Sequence, residues 1–343
     1  MLRLPPFELR RASTAAEAVA VLAGEGPAAR AVAGGTDLWP NMKRRHQSAR
    51  VVVSLMTIPE LRGISNGDPA RDVRLGATTL LAEVERSETV RRRFPSLARA
   101  VASISSPPLR NMGTIGGNVC VDTRCTYYNQ TEPWRRSIDY CMKEAGTVCW
   151  VAPSSPRCWA HSASDAAPML TALGARVVLL GPEGERDAPL ASLYKDDGID
   201  YLAKRPDELV TALLVPSAAD AGRCRSAFWK LRRRGSIDFA VLSVAVALWP
   251  LQGPVERASI VLGAVGSRPV VAEDAAKVLV GRTLDDDAIV EAARLARQAA
   301  TPMDNTDFQA QWRGQMVERY TVAALREAAG LDPGVASPHH RLL

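Results

Sequence analysis

The sequence lacks the features that mark several common classes of protein. No run of about eighteen apolar residues occurs, and the opening MLRLPPFELRRAST has neither the apolar stretch nor the small-residue cleavage site of a secretory signal. With 47% hydrophobic and 23% charged residues in 343, the chain is neither disordered nor collagen-like. These absences predict a soluble cytoplasmic protein, without membrane contact, of two or three domains.

Neither charge nor histidine indicates a particular chemistry. The formal net charge of +6 is small for this length and is spread along the chain. The short arginine runs 91–93 and 232–234 have few aromatic residues near them, so we expect solvated surfaces and no nucleic-acid binding. The histidines are scarce and form neither a metal-binding nor a hydrolase pattern; they are His46, His161, His339 and His340.

Cysteine is the residue type whose distribution is most informative. Five of the six cysteines lie between Cys120 and Cys158, and in a reducing cytoplasm such clustered thiols indicate a metal site or redox chemistry. Four of them, Cys125, Cys141, Cys149 and Cys158, are separated by 16, 8 and 9 residues. Zinc sites favour closely spaced cysteine pairs, so this spacing favours an iron–sulfur cluster while leaving zinc as the alternative.

The pattern of the remaining chain predicts two α/β units followed by an α+β domain. In residues 1–60, Thr14 with Glu17 three residues later predicts the start of a helix, and β-branched segments predict strands. Residues 61–217 form the second predicted unit, with a turn at Asn66–Gly67. Residues 223–330 form the α+β domain, and residues 331–343 form a frayed tail.

Within the second predicted unit, residues 119–160 are periodic neither as helix nor as strand. Prolines and a glycine interrupt the segment repeatedly. A loop of this length is either disordered or held by something other than its own apolar core. Four thiolates on one metal centre can supply that missing stabilisation.

Two glycine motifs predict a nucleotide site. Gly34-Gly35-Thr36 follows a predicted strand, where successive backbone N–H groups can surround a phosphate. The second motif, residues 114–118, reads TIGGN. Two such loops on neighbouring units can hold the two phosphates of a dinucleotide, which either motif alone would not indicate.

These motifs also resemble a known family. The segments AVAGGTDL (31–38), TIGGNVC (114–120) and SDAAP (164–168) are similar to the flavin-binding medium subunits of molybdenum hydroxylases, including those of xanthine dehydrogenase and carbon monoxide dehydrogenase. The resemblance spans nearly the whole chain. It implies an α+β or α/β fold, with a two-subdomain PCMH-type FAD-binding domain followed by a C-terminal α+β domain of the CO dehydrogenase flavoprotein type.

The resemblance implies which residues hold FAD. The diphosphate is expected on residues 33–37 and 114–118, ribityl or ribose hydroxyls on Asp165, an apolar contact at Ile104, and Lys230 near the flavin ring. The full set of expected cofactor-binding residues is Ala31, Val32, Ala33, Gly34, Gly35, Thr36, Asp37, Leu38, Ile104, Thr114, Ile115, Gly116, Gly117, Asn118, Asp165 and Lys230.

The cysteine-rich segment departs from the ordinary family pattern, which has only a few residues there. Its stretches CVDTRCTYYNQ, WRRSIDYCMK, VCWVA and SSPRCW resemble the beta subunits of 4-hydroxybenzoyl-CoA reductases. In those proteins the insertion binds one [4Fe-4S] cluster, and the ligands implied here are Cys125, Cys141, Cys149 and Cys158. Cys120 belongs to the flavin motif, and Cys224 is expected to be a bystander.

The resemblance implies an electron-transfer subunit with no catalytic residue of its own. Ferredoxin-type donors would supply electrons through the [4Fe-4S] cluster and FAD to a [2Fe-2S] small subunit and a molybdopterin-binding large subunit, within a dimer of heterotrimers. There 4-hydroxybenzoyl-CoA would be reductively dehydroxylated to benzoyl-CoA. Two alternatives stay open: an oxidising molybdenum hydroxylase acting on another aromatic or heterocycle, and a flavin-free binding module stabilised by zinc on the four cysteines.

Overall fold

Three β-sheets, following one another along the chain, form the framework of the computed structural model. The structure describes residues 2–65 and 70–334, so the predicted turn at Asn66–Gly67 and residues 335–343 of the predicted tail lie outside the described residues. Within the described ranges, no helix has both the length and the apolar character needed to cross a membrane. The strands of the three sheets lie, in order, within residues 8–54, 73–215 and 225–271.

The first unit is a three-stranded parallel sheet in the order β1-β3-β2. Its elements are β1 (Glu8–Arg11), α1 (Ala15–Glu25), β2 (Ala29–Val32), α2 (Leu38–Lys43) and β3 (Val51–Ser54). The predicted helix start is confirmed, because the Thr14 hydroxyl accepts the Glu17 backbone N–H at 3.1 Å. Strand β3 lies in the centre of the sheet, which explains its uninterrupted run of buried valines.

The second unit is an antiparallel sheet in the order β4-β7-β5-β6, packed against short helices. Its strands are β4 (Val73–Gly76), β5 (Arg176–Gly181), β6 (Gly184–Pro189) and β7 (Leu209–Val215). Its helices are α3 (Leu81–Arg86), α4 (Glu88–Arg93), α5 (Pro95–Ala102), α6 (Pro107–Arg110), α7 (Ile115–Val119), α8 (Glu132–Ser137) and α9 (Ala166–Ala172).

Two features of this unit are not evident from the sequence pattern. Residues 81–93 form two helices, α3 and α4, because Ser87 leaves the helical conformation and its hydroxyl accepts the Val90 N–H at 3.4 Å. Strand β6 was not predicted, since it is a largely exposed polar edge strand without apolar alternation.

The C-terminal unit is an antiparallel sheet in the order β11-β10-β9-β8. Its elements are β8 (Arg225–Leu231), β9 (Leu242–Trp249), β10 (Arg257–Gly263), β11 (Val270–Val271), α10 (Glu273–Lys277), α11 (Asp286–Ala299) and α12 (Ala310–Ala328). Alternate residues of its strands face opposite sides. Phe228 and Ala245 join the core of the second unit, whereas Trp229 and Val244 pack in the core with α12.

The cysteine-rich segment lies between the first unit and the C-terminal unit. Its two ends meet where the backbones of Arg124 and His161 exchange hydrogen bonds of 2.9 and 2.8 Å. Asn305 of the C-terminal unit accepts the Thr126 N–H at 2.8 Å. On the opposite side, the buried Arg135 guanidinium donates to the Arg44 carbonyl at 2.9 Å. These contacts position the segment. Residues 120–160, all of them described, contain only one helix, α8.

We expect the buried His161 to make stability fall in mild acid. Burial lowers the pKa of His161 to about 4, from about 6.5 in the unfolded chain, so protons bind the unfolded state preferentially as the pH falls. This stabilisation is fully present above pH 6.5 and is lost as the pH falls towards 4. His161→Gln should therefore reduce the loss of unfolding free energy between pH 7 and pH 5 by about 2 kcal/mol. Denaturant titrations at both pH values measure this, and identical pH dependence in both proteins would contradict it.

Candidate functional site

A cleft of about 760 Å³ lies where the first, second and C-terminal units meet. Residues 29–38, 116–118 and 237–239, which come from all three units, contribute to its walls. The cysteine-rich segment contributes residues 120–122 and several side chains further along the chain. The volume is of the order that small-molecule and cofactor sites occupy, which is about 300–1,000 Å³.

Most of the expected cofactor-binding residues line this cleft, and only Ile115 and Lys230 do not. The Ile115 side chain is buried in the core of the second unit, and its N–H donates to the Thr79 carbonyl at 3.0 Å. Lys230 lies behind the cleft wall, where its ammonium donates to Asp165 Oδ2 at 2.7 Å. Lys230 is thus a buried partner of Asp165, and the Ile115 side chain packs in the core next to the cleft-lining Thr114 and Gly116.

The first glycine motif has the form that the sequence predicts. A Cβ atom on Gly34 would lie 1.6 Å from the Met112 carbonyl oxygen, so only glycine allows the two segments to approach so closely. Gly35 has φ +70°, a conformation that glycine adopts readily. Within the described residues, the backbone N–H groups of Gly34, Gly35 and Thr36 make no hydrogen bond. These donors at the cleft surface fit a phosphate group.

The second glycine motif differs from the predicted phosphate loop. It forms the short helix α7, in which the Thr114 hydroxyl accepts the Gly117 N–H at 3.1 Å and the Gly116 N–H donates to the Ala77 carbonyl at 2.9 Å. Its N–H groups are therefore largely used within the protein. A Cβ on Gly116 would lie 2.6 Å from the Ala77 Cβ, so this glycine is required for packing α7 beneath the cleft.

Buried polar atoms without partners also face this region. Asp165 Oδ1 and Thr78 Oγ1 have no hydrogen-bond partner among the described residues, although both residues line the cleft. Leaving a buried polar atom unpaired costs about 1–3 kcal/mol, so such atoms indicate a missing partner. Asn118 uses its Oδ1 to accept from the Ser164 hydroxyl at 2.8 Å. The polar groups of the cleft fit the hydroxyls and phosphates of a dinucleotide cofactor such as FAD.

Thr78→Val is expected to weaken FAD binding about 3- to 10-fold, because it removes from the cleft wall a hydroxyl that has no hydrogen-bond partner among the described residues. The protein without FAD should be as stable as the wild type or more stable. Thr79→Val is the matched control, since the Thr79 hydroxyl accepts the Gly63 N–H at 2.9 Å and Thr79 does not line the cleft. That variant should lose stability and keep its FAD affinity. Flavin titrations and thermal melts measure both, and a Thr78→Val protein with wild-type FAD affinity would contradict this prediction.

The four expected metal ligands are all buried, and they lie near one another. Cys125, Cys141 and Cys158 share one apolar cluster with Tyr128, and Cys149 is also buried. Burial raises the pKa of Cys158 to about 11, and the neighbouring Cys149 and Cys141 thiols add to that rise. The structure thus brings together four thiols that are far apart in sequence.

Backbone N–H groups point at three of these sulfurs. The Ala160 N–H lies 3.4 Å from Cys158 Sγ. Burial raises the pKa of the Cys125 thiol to about 12, and the N–H groups of Tyr127 and Tyr128 oppose that rise. The Lys143 N–H acts on Cys141 in the same way. N–H donors around buried sulfurs stabilise thiolates, so the donor set fits a thiolate-bound metal centre.

The four thiols do not form a preformed site for a single metal ion among the described residues. Among the described residues, no group of three or more His, Cys, Asp or Glu side chains is arranged to hold a metal ion. A tetrahedral zinc site brings its four sulfurs to about 2.3 Å from one ion. Iron–sulfur clusters bind their cysteines at separate iron atoms, so their ligands surround a larger volume.

Sequence reasoning missed the charged residues that join the cysteines to the cleft. Arg124, next to Cys125, pairs with Asp37 of the first glycine motif. Asp122 and Lys143 form a buried ion pair of 2.8 Å, and both line the cleft. Charged residues in a loop are usually solvated, so no local signal could have identified this burial. Among the aromatic residues of the segment, Tyr128 stacks on His46 of the first unit, whereas Trp134 and Trp150 are more than a third exposed.

Comparisons with known proteins agree with the cleft geometry. Residues 5–218 match the FAD binding domain in molybdopterin dehydrogenase, and residues 226–328 match the CO dehydrogenase flavoprotein C-terminal domain. The carbon monoxide dehydrogenase medium chain of Afipia carboxidovorans is 31% identical over 310 residues, covering 90% of this chain and 92% of that protein. The nicotinate dehydrogenase FAD-subunit of Eubacterium barkeri is 26% identical, covering 74% and 72%.

A solved structure gives the same result for the fold. The carbon monoxide dehydrogenase of Hydrogenophaga pseudoflava contains a chain that superposes with a TM-score of 0.78 at 27% identity, covering 96% of this chain and 99% of that chain. The predicted fold class is therefore confirmed. The alternative of a flavin-free binding module is wrong, because residues 5–218 match an FAD-binding domain. The chain belongs to the FAD-binding medium subunits of the molybdenum hydroxylase family, and it is a flavoprotein subunit of an oxidoreductase.

Proposed function

We propose that this chain carries two redox groups, FAD in the cleft and one [4Fe-4S] cluster on Cys125, Cys141, Cys149 and Cys158. The observation that carries the proposal is the shared wall between the two sites. Tyr128 packs in the cysteine cluster and also lines the cleft, and Lys143, two residues after Cys141, lines the cleft as well. When bound, a flavin exchanges one or two electrons and a cluster exchanges one, so their proximity supports electron transfer.

Iron–sulfur rather than zinc is the proposed metal. The four thiols are buried, and their separations of 16, 8 and 9 residues lack the closely spaced cysteine pair that zinc sites favour. The buried surroundings and the N–H donors near Cys125 and Cys158 are the features through which proteins tune a cluster. The chain's contribution is to hold the ligands, exclude water and place the cluster beside the cleft.

The finer proposal is that the complete enzyme is a molybdenum-containing reductase that dehydroxylates 4-hydroxybenzoyl-CoA to benzoyl-CoA. The support is the resemblance of the cysteine-rich segment to the corresponding insertion of that reductase family. The proposal includes a molybdopterin-binding large subunit, a [2Fe-2S] small subunit, a ferredoxin-type donor and a dimer of heterotrimers. A one-electron port beside FAD suits a donor that delivers single electrons. The organic substrate would bind on a partner subunit.

A second candidate reverses the direction of electron flow. The relatives named above are dehydrogenases, and others are a 6-hydroxypseudooxynicotine dehydrogenase subunit and a glyceraldehyde dehydrogenase medium chain. Their names favour an oxidising molybdenum hydroxylase that acts on another aromatic or heterocyclic compound. In that enzyme this chain would pass electrons outward, with the same FAD cleft and the same cysteine pocket.

Assay of the assembled enzyme distinguishes the two candidates. The chain is co-expressed with its partner subunits, purified without oxygen and supplied with 4-hydroxybenzoyl-CoA and a low-potential one-electron donor. We expect formation of benzoyl-CoA, detected by mass. The matched control is the same complex with Cys141→Ser, which should lose turnover with the one-electron donor. Failure with this thioester, together with oxidation of another aromatic compound, would contradict the reductase proposal and support the hydroxylase.

A further inference from the structure

We propose that Lys143 is a positioning residue that couples the cysteine pocket to the FAD cleft, so that metal loading and FAD binding strengthen each other. The inference rests on the proposed function, because it requires a metal centre on the four cysteines. Two cofactors can bind one chain independently; the inference is that binding at one site here changes affinity at the other. The coupling would make assembly of this subunit cooperative.

Lys143 is held more firmly than an ordinary lysine. Its ammonium donates to Asp122 Oδ1 at 2.8 Å, to Thr123 Oγ1 at 2.8 Å and to the Gly198 carbonyl at 2.6 Å. Three acceptors match the three N–H donors of an ammonium group. Only 5% of the side chain is exposed. A buried charge with a complete set of partners has one position, so Lys143 transmits displacement of the elements it joins.

On one side, Lys143 contacts the elements that hold the sulfurs. Gly198, whose carbonyl accepts from Lys143, donates its own N–H to the Cys158 carbonyl at 3.0 Å. A Cβ on Gly198 would lie 2.7 Å from Cys158 Sγ, so these two residues are in direct contact. Lys143 also follows Cys141 by only two residues in the chain. Movement of either cysteine therefore changes the surroundings of Lys143.

On the other side, Lys143 supports the cleft wall. Its ammonium lies 5.0 Å from the centre of the Tyr128 ring and 5.5 Å from the centre of the Tyr201 ring, and both rings line the cleft. Its partner Asp122 donates a backbone N–H to Asp37 Oδ2 at 3.3 Å. Asp37 belongs to the first glycine motif. The contacts thus extend from Cys158 to the expected diphosphate site through one buried ammonium.

The coupling follows from how the cysteine-rich segment is stabilised. Residues 120–160, described throughout, contain one short helix and a small apolar cluster, so metal ligation would supply much of their folding free energy. Without the metal, the anchors of Lys143 would loosen together with the cleft wall. A ligand that orders a wall shared with a second site increases affinity at that site, and the effect is equal in both directions.

The test compares FAD affinity of the full-length chain with and without iron. Flavin fluorescence titrations give the dissociation constant for anaerobically purified, iron-loaded protein and for protein treated with an iron chelator. We expect FAD to bind the iron-loaded wild type at least about 5-fold more tightly, the lower end of typical coupling between sites. Lys143→Met should bring this ratio close to one. Asp122→Asn, which keeps the volume and weakens one anchor, should reduce the ratio partly.

Lys204→Met is the matched control. Lys204 also lines the cleft, but its ammonium donates to the carbonyls of Arg205 at 3.2 Å and Glu208 at 3.0 Å, outside the cysteine-rich segment. The ratio of FAD affinities between iron-loaded and iron-free Lys204→Met should equal that of the wild type, even if the variant binds FAD more weakly in both forms. An equal FAD affinity of iron-loaded and iron-free wild type would overturn the coupling. If both Lys143→Met and Asp122→Asn keep the wild-type ratio of FAD affinities with and without iron, Lys143 does not couple the two sites. A chain that binds FAD and never iron would instead contradict the proposed function.

Discussion

Gly34→Ala is expected to weaken FAD binding about 100-fold, which corresponds to about 3 kcal/mol. The new Cβ would lie 1.6 Å from the Met112 carbonyl oxygen, so the two segments must separate. The backbone at Met112 is held in place by its neighbour Gly113. The Gly113 N–H donates to the Leu109 carbonyl at 2.8 Å, and the Gly113 carbonyl accepts the Leu81 N–H at 2.8 Å. The glycine motif would therefore move, and its backbone donors would leave the expected phosphate position.

The control for this variant is Gly24→Ala. Gly24 lies in helix α1, and no atom lies within 4 Å of the position that its Cβ would take. Alanine there should leave FAD affinity unchanged and raise stability by about 0.5–1 kcal/mol, because glycine is a poor helix former. Flavin titration and thermal unfolding of both variants measure the effects. Wild-type FAD affinity in Gly34→Ala would show that this close approach does not position the cofactor site.

Cys141→Ser is expected to abolish the iron–sulfur signal while FAD still binds at saturating concentration. The variant removes one of the four proposed ligands, whereas Gly34–Thr36 and Asp165 lie outside the cysteine-rich segment. Iron analysis and electron paramagnetic resonance of the reduced protein report the cluster, and absorbance reports the flavin. If Lys143 couples the two sites, the FAD affinity of this variant should equal that of the iron-free wild type.

Cys224→Ser provides the comparison for Cys141→Ser. Cys224 is buried, but it packs in the core of the second unit, apart from the cluster that contains Cys125, Cys141 and Cys158. Its thiol donates to the Arg225 carbonyl at 3.4 Å. The variant should keep its full iron content with a small loss of stability. Full iron content in Cys141→Ser would refute the ligand assignment.

Local sequence signals predicted those elements whose causes are local. Thr14 caps α1 as expected, and the valines of β3 correspond to a buried central strand. The first glycine motif lies in the cleft, where its conformation requires glycine. In each case the determining interaction joins residues close in sequence or depends on strand burial, which the residue pattern records.

Contacts between distant segments decide features that the local sequence pattern does not show. Gly116 suits a phosphate loop as a sequence motif, and its contact with Ala77 also makes it a packing position in α7. Lys230 is expected near the flavin, and docking of the C-terminal unit buries its ammonium against Asp165, which lines the cleft. The role of Lys143 depends on Gly198, 55 residues away, so no local pattern indicates it.

Metal and flavin analysis of the full-length chain, purified without oxygen, tests the central claim most directly. The claim is that one polypeptide holds FAD in the cleft and an iron–sulfur cluster on four buried cysteines. We predict about four iron atoms and about one FAD per chain, with a paramagnetic signal on reduction typical of a [4Fe-4S] cluster. A full complement of FAD with zinc, or with no metal, would contradict it.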